Sequence, residues 1–203
     1  MVRKSKEDAE KTRQAILEAA LDVFSEKGYA KTTFDEIALR AGFTKGAVYW
    51  YFRNKADLVA ALIVEYVQRK RIEVERNSPK ELSLKGLLES FKVWAEMSQK
   101  DVRYAKFNRF VLCQMEWSDA VIDRVDGNLK DLMKYHLEKI NKVLLKSQSD
   151  GELKEGIDIE KIQHLILSSY MGIMFSSLSK KFDYDVVEMV QLGIGAVIDG
   201  IRK

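Results

Sequence analysis

Thr32–Ile63 reads TTFDEIALRAGFTKGAVYWYFRNKADLVAALI, and three helix starts fall inside it. Thr33-Phe34-Asp35-Glu36 has the form of a capping box, in which the Thr33 hydroxyl and the Glu36 carboxylate satisfy orphan amides at the head of a helix carrying Ile37, Ala38 and Ala41. Gly42 stops that helix after about two turns. Thr44 can cap a second short helix through Phe52, and Asn54 can cap a third beginning at Lys55, with Asp57 near its positive end. In the middle helix Lys45 and Tyr49 share one face at i, i+4, while Val48 and Phe52 share another. One face can pack while the other reaches outward. Two short helices joined by a glycine turn have helix-turn-helix spacing, although many small helical proteins also show that spacing by accident.

Upstream, Ile16, Leu17, Ala20, Leu21 and Phe24 put one apolar stripe on a helix from about Ala9 to Lys27, ended by Gly28. Downstream, the helix from Lys55 runs through Leu58, Leu62 and Val67 to about Arg76. Ser78-Pro79-Lys80-Glu81 then reads as a fresh start, with Ser78 as cap and Pro79 at the first helical position. Further helices are expected at 81–99, 102–116, 119–147, 158–181 and 184–202. Pro79 is the only proline, and alternating strand patterns are nearly absent. The predicted fold is all-α with about nine helices: an N-terminal three-helix domain, residues 1–55, and a C-terminal helical domain, residues 56–203, with the boundary inside helix four.

The 203 residues are 46% hydrophobic and 32% charged, which excludes disorder and collagen and supplies enough apolar mass for a core. No stretch approaches the apolar length of a membrane span, and the charged N-terminus leads into no apolar signal region, so neither embedding nor export is expected. The net charge of +3 is unevenly placed. Residues 1–55 hold 11 Lys+Arg against 8 Asp+Glu, whereas residues 56–203 hold 23 of each. Thr44–Lys55 carries Lys45, Arg53 and Lys55 with no acid, the sign of a phosphate-facing surface, though charge alone also fits a plain solvated face.

These residues, with KTRQAILEAALDVFSEKGYAKTTF before them, resemble the DNA-binding domain of the TetR family of bacterial transcriptional repressors. The GAVYWYF wording resembles its AcrR-like, multidrug-efflux branch. The resemblance is dense from about Lys11 to Leu62; beyond it the chain matches only in length and helical layout. It implies a cytoplasmic homodimer that holds double-stranded operator DNA until a small-molecule effector binds the C-terminal domain. By the same resemblance Lys45 is the base-reading residue, with Thr44 and Gly46 beside it and Ala47 able to touch a thymine methyl. Tyr49 and Tyr51 stand where the family meets phosphate and sugar, Trp50 and Lys55 approach the backbone, and Thr33 is a further phosphate candidate. Set against these roles are a solvated Lys45, a packed Tyr49 and a core Trp50.

In the C-terminal half, Trp94, Phe107, Phe110, Val111, Gln114, Trp117, Met171 and Phe175 are the candidate effector-binding residues, since aromatics and methionines can line an adaptable apolar cavity. Plain core is the competing reading for each. Val190, Ile194, Val197 and Ile201 form an apolar stripe with Gly193 as a small residue on it; with Tyr170 they are the expected dimer seam. No metal or cofactor is expected: His136 and His164 lack ligand partners in sequence, and Cys113, in an apolar stretch, reads as a buried inert thiol. No nucleophile elbow or phosphate-binding loop is present, so the chain does not read as an enzyme. A DNA-binding activator, a regulator answering to a protein partner, and a helical ligand carrier stay open as alternatives.

Overall fold

The computed structural model of the chain describes residues 6–178 and 183–203. Nine α-helices and one π-helical turn occur among them: α1 Lys6–Lys31, α2 Phe34–Ala41, α3 Lys45–Tyr51, α4 Lys55–Asn77, α5 Leu84–Lys100, α6 Val102–Arg109, the π-helical turn Phe110–Gln114, α7 Asp119–Ser149, α8 Ile159–Ser177 and α9 Val186–Ile201. The all-helical expectation holds. The last residues of the expected 158–181 helix lie outside the described residues.

The local signals act where they stand. Gly28, with φ 80° and ψ 168°, breaks the helical run of α1 and leaves a short helical turn beyond it. At α2 both halves of the capping box form: the Glu36 amide donates to the Thr33 hydroxyl at 3.3 Å, and the Thr33 amide donates to the Glu36 carboxylate at 3.0 Å. Lys27 and Thr33 hold the Glu36 carboxyl below its usual range. Gly42 closes α2 in the left-handed region at φ 73°, where a side chain would be strained. Thr44 caps α3 by accepting from the Ala47 amide, and Asn54 accepts from the Asp57 amide at 2.9 Å.

One start differs from expectation. Ser83, not Ser78, caps α5, accepting from the Gly86 amide at 3.0 Å. The Ser78 amide instead closes the end of α4 on the Val74 carbonyl. Gly86 is the residue that permits this, because a Cβ there would stand 2.6 Å from the Glu81 carbonyl oxygen.

The helices form two compact units. The first runs through Gln68 and takes in Lys106–Asn128; the second comprises Arg69–Ala105 and Leu129–Lys203. One division therefore falls inside α4. In the first unit, Ile16, Leu17, Leu21 and Phe24 of α1 are buried with Ile37 of α2, Val48 of α3, and Leu58 and Leu62 of α4. Phe110 joins this core, stacked on Phe24 at 4.9 Å between ring centroids. Lys106 pairs with Asp22 at 2.6 Å, and the Gln114 amide donates to the Ser25 carbonyl at 3.2 Å.

In the second unit α5, α7, α8 and α9 enclose a core that includes Leu87, Phe91, Ile140, Leu144, Ile166 and Tyr170. The stripe expected as a dimer seam is part of it: Val190, Ile194 and Ile201 are buried and Val197 packs against the same cluster, so this face of α9 turns inward. Gly193 likewise serves an approach within the chain, since a Cβ there would meet Ile173 Cδ1 of α8 at 2.9 Å. Tyr170 is a core ring, 5.0 Å from Phe91 and 5.4 Å from Trp94.

Cys113 is exposed, contrary to expectation. Phe110 takes the inward position of the π-helical turn, while Val111, Leu112 and Gln114 are only half-buried, so the apolar look of this stretch does not mark a core segment. No described helix is long and apolar enough to cross a membrane.

Candidate nucleic-acid interface and ligand cleft

The capping chemistry of α2, α3 and α4 brings three helix beginnings together around one open concavity. Thr33, Asp35, Lys45, Tyr49, Arg53 and Lys55 line it, along with Phe34 and Asn54. Four residues expected to meet DNA (Thr33, Lys45, Tyr49 and Lys55) thus share one surface. Behind it Val48 is fully buried and Phe52 nearly so, so α3 is pinned by one face and presents the other. Tyr49 is 51% exposed and meets the Phe34 ring edge-on at 4.8 Å. Trp50, at 73% exposure, is not a core residue; its indole meets Tyr51 edge-on at 4.6 Å. Tyr51 and Ala47 are half-buried, while Thr44 and Gly46 are exposed in the first turn of α3.

The cations of this surface are not equally available. The Lys45 ammonium donates to Asp35 Oδ2 at 2.7 Å, and that carboxylate raises its pKa and keeps it charged. An exposed pair of this kind is weak and yields readily to a better anion. Lys55 donates to the Tyr29 and Ala30 carbonyls, both at 2.9 Å, and lies 4.7 Å over the Tyr29 ring. It closes the helical turn after Gly28 and uses two of its three N–H donors in doing so. Thr33 has both its amide and its hydroxyl turned to Glu36. Arg53 is exposed on the same wall without having been singled out; its signal was membership of the acid-free Thr44–Lys55 segment. Asp35 had no such signal, because it reaches Lys45 across a turn from another helix.

The eight expected effector residues are divided between the two units. Phe107 and Phe110 are buried in the first unit, where Phe107 stacks on Tyr66 at 4.8 Å. Val111, Gln114 and Trp117 belong to that unit too, with Trp117 exposed. Met171 and Phe175 are exposed on α8 of the second unit. Trp94 lines a cleft there. Its apolar wall is Val74, Leu87, Phe91, Ile140 and Trp94; its polar lining is Arg71, Ser90, Tyr135, His136 and Lys139. The last five were not foreseen, since they come from three helices and share no local motif.

His136 lies 4.0 Å from Trp94 between ring centroids. Burial, reinforced by the charges of Lys139 and Arg71, pushes its imidazole down to about 3. The unfolded chain takes that proton near 6.5. Stability is therefore full above pH 6.5 and declines as the pH falls below it, at about 1.4 kcal/mol per unit. His136→Leu should remove this component, on the order of 2 kcal/mol between pH 6.5 and 5. Urea denaturation of both proteins at pH 7 and pH 5 checks it; equal acid losses in the two would assign the titration to other groups.

Comparison with known proteins agrees with this geometry. Residues 16–62 match the family model described as "Bacterial regulatory proteins, tetR family". Over the full length of this chain and 97% of the other, the sequence is 28% identical to a probable HTH-type transcriptional regulator, ArpR, of Pseudomonas putida. The fold matches the crystal structure of NalD, the secondary repressor of the MexAB-OprM multidrug efflux pump in Pseudomonas aeruginosa, with TM-score 0.80 at 20% identity over 97% of this chain and 98% of that one. It also matches a complex of SmeT, the repressor of a Stenotrophomonas maltophilia efflux pump, with triclosan: TM-score 0.75, 24% identity, 95% and 92% of the two chains. This chain carries, in residues 16–62, the N-terminal domain of the TetR family of bacterial regulatory proteins.

Proposed function

We propose that the chain is a cytoplasmic transcriptional repressor that binds a two-fold symmetric DNA operator as a homodimer and releases it when a small molecule enters the cleft of the second unit. The observation that carries the DNA half is the placing of Lys45, Tyr49, Arg53 and Lys55 on one exposed concave face, with Val48 and Phe52 anchoring α3 behind it. A helix so held can enter a major groove, Lys45 toward base edges and Tyr49, Arg53, Lys55 and the Thr33 end of α2 toward the backbone. Gly46 and Ala47 keep the leading turn of α3 slim, Thr44 caps it, and Trp50 and Tyr51 flank it.

The dimer reading is supported by the outward faces of the last two helices. Leu165, Met171 and Phe175 of α8 and Leu192 of α9 are exposed apolar side chains on elements whose opposite faces fill the core. A second copy of the chain is the occupant that two-fold symmetry supplies. The effector reading is supported by the cleft beside Trp94, and the SmeT–triclosan complex shows a structural neighbour with a small molecule bound.

Two reading heads on a dimer recognise half-sites about one helical turn, roughly 34–36 Å, apart. Selection of bound fragments from randomised duplex DNA should return a palindromic motif with that spacing. Enrichment of a motif without two-fold symmetry, or none at all, would contradict the proposal.

A further inference from the structure

The cleft of the second unit has a chemical asymmetry. Among its described lining residues there is no carboxylate, while Arg71 and Lys139 are both cations. Arg71 is neutralised locally, bonded to Glu75 at 3.1 Å and stacked 4.0 Å over the Tyr135 ring. Lys139 is not: among the described residues its ammonium meets only the Ser90 hydroxyl, at 3.3 Å. His136 adds no charge near neutrality, because burial and the two neighbouring cations keep it unprotonated. Lys139 itself is held below the ordinary lysine range by burial, against a smaller opposing pull from Glu75. A half-buried ammonium whose hydrogen-bond partner among the described residues is a neutral hydroxyl is incompletely compensated, and an incoming anion adds to its stabilisation.

A second observation points the same way. The Trp94 indole N–H is buried and has no acceptor among the described residues. Unpaired buried donors are rare enough to need a reason, and a ligand oxygen in the cleft beside Trp94 is one. The wall around it, formed by Val74, Leu87, Phe91 and Ile140, is apolar, which suits an apolar body rather than a polar molecule.

We infer that this cleft takes an amphiphile with a carboxylate head, the head meeting Lys139 and the Trp94 N–H and the apolar body lying along Val74, Leu87, Phe91 and Ile140. Arg71, already paired with Glu75, leaves Lys139 as the cation that meets the head. Lys139 and Trp94 therefore select the ligand by charge, and the apolar wall sets how much of it is held. The inference rests on the effector reading above and adds to it the chemical class of the effector.

The test uses the full chain and three probes of equal tail length below their micelle concentrations: sodium dodecanoate, dodecanol and dodecyltrimethylammonium bromide. Binding is read by calorimetry, and release of the selected operator duplex is read in parallel. Dodecanoate should bind at least about 10-fold more tightly than the alcohol or the ammonium, the margin of one charge-assisted contact. Lys139→Met should erase that margin and leave dodecanol binding unchanged, and Lys139→Arg should retain it. Equal binding of all three probes, binding of none, or a margin that survives Lys139→Met overturns the carboxylate inference. If the alcohol or the ammonium releases DNA and dodecanoate does not, the effector reading survives and the inference falls. If dodecanoate binds through Lys139 while the DNA stays bound, the inference stands and the effector reading falls.

Discussion

Lys45→Ala should lower affinity for the selected operator roughly 10- to 100-fold while changing affinity for a scrambled duplex far less. Lys45 sits in the first turn of α3, exposed, with its ammonium on Asp35 at 2.7 Å. Its side chain makes no core contact, so removing it leaves the helix anchored by Val48 and Phe52. A loss confined to operator DNA is the mark of base reading. Asp35 supplies an internal control, because it competes with DNA for the same ammonium. Asp35→Asn should free Lys45 and move affinity in the opposite direction. Gel-shift titrations of both variants on both duplexes decide the matter; an equal loss on operator and scrambled DNA for Lys45→Ala would reduce Lys45 to a phosphate contact.

Phe110→Ala should cost about 3–5 kcal/mol of folding stability, a large share of the 5–15 kcal/mol that holds a typical domain together. Phe110 is fully buried in the first unit and stacks on Phe24 nearly in parallel, with 10° between ring planes. Truncation opens a cavity against α1, and the surroundings can collapse into it only in part. Urea denaturation measures the loss. Were Phe110 instead a ligand-facing residue, the same substitution would change effector affinity and leave stability within about 1 kcal/mol. The two roles are therefore separable in one variant.

Much of the first unit was legible because its signals are local. Thr33 and Glu36 are three residues apart, Gly42 follows the helix it ends, and Val48 and Phe52 share a face by helical periodicity alone; each is found where the sequence places it. What the sequence hid is contact between distant segments. Nothing near Phe107 or Phe110 says that residues 106–128 pack with the N-terminal helices, since the pairs that tie them, Lys106 with Asp22 and Gln114 with Ser25, join residues far apart in the chain. The stripe on α9 fails for a related reason. Periodicity shows that Val190, Ile194 and Ile201 are covered, but not whether the cover is the chain's own α5 and α8 or another copy. Arg71, His136 and Lys139 were unreadable as a set because the cleft is assembled from separate helices.

The claim on which the rest depends is that the concave face of α2, α3 and the head of α4 docks on duplex DNA. Its most direct test is the affinity of the unmodified protein for the selected operator and for a scrambled duplex across a series of salt concentrations. Affinity for both should fall linearly on logarithmic axes as phosphate contacts release counterions, with the operator held at least about 1,000-fold more tightly than the scrambled duplex. Affinity that ignores salt, or that is the same for the two duplexes, would contradict it.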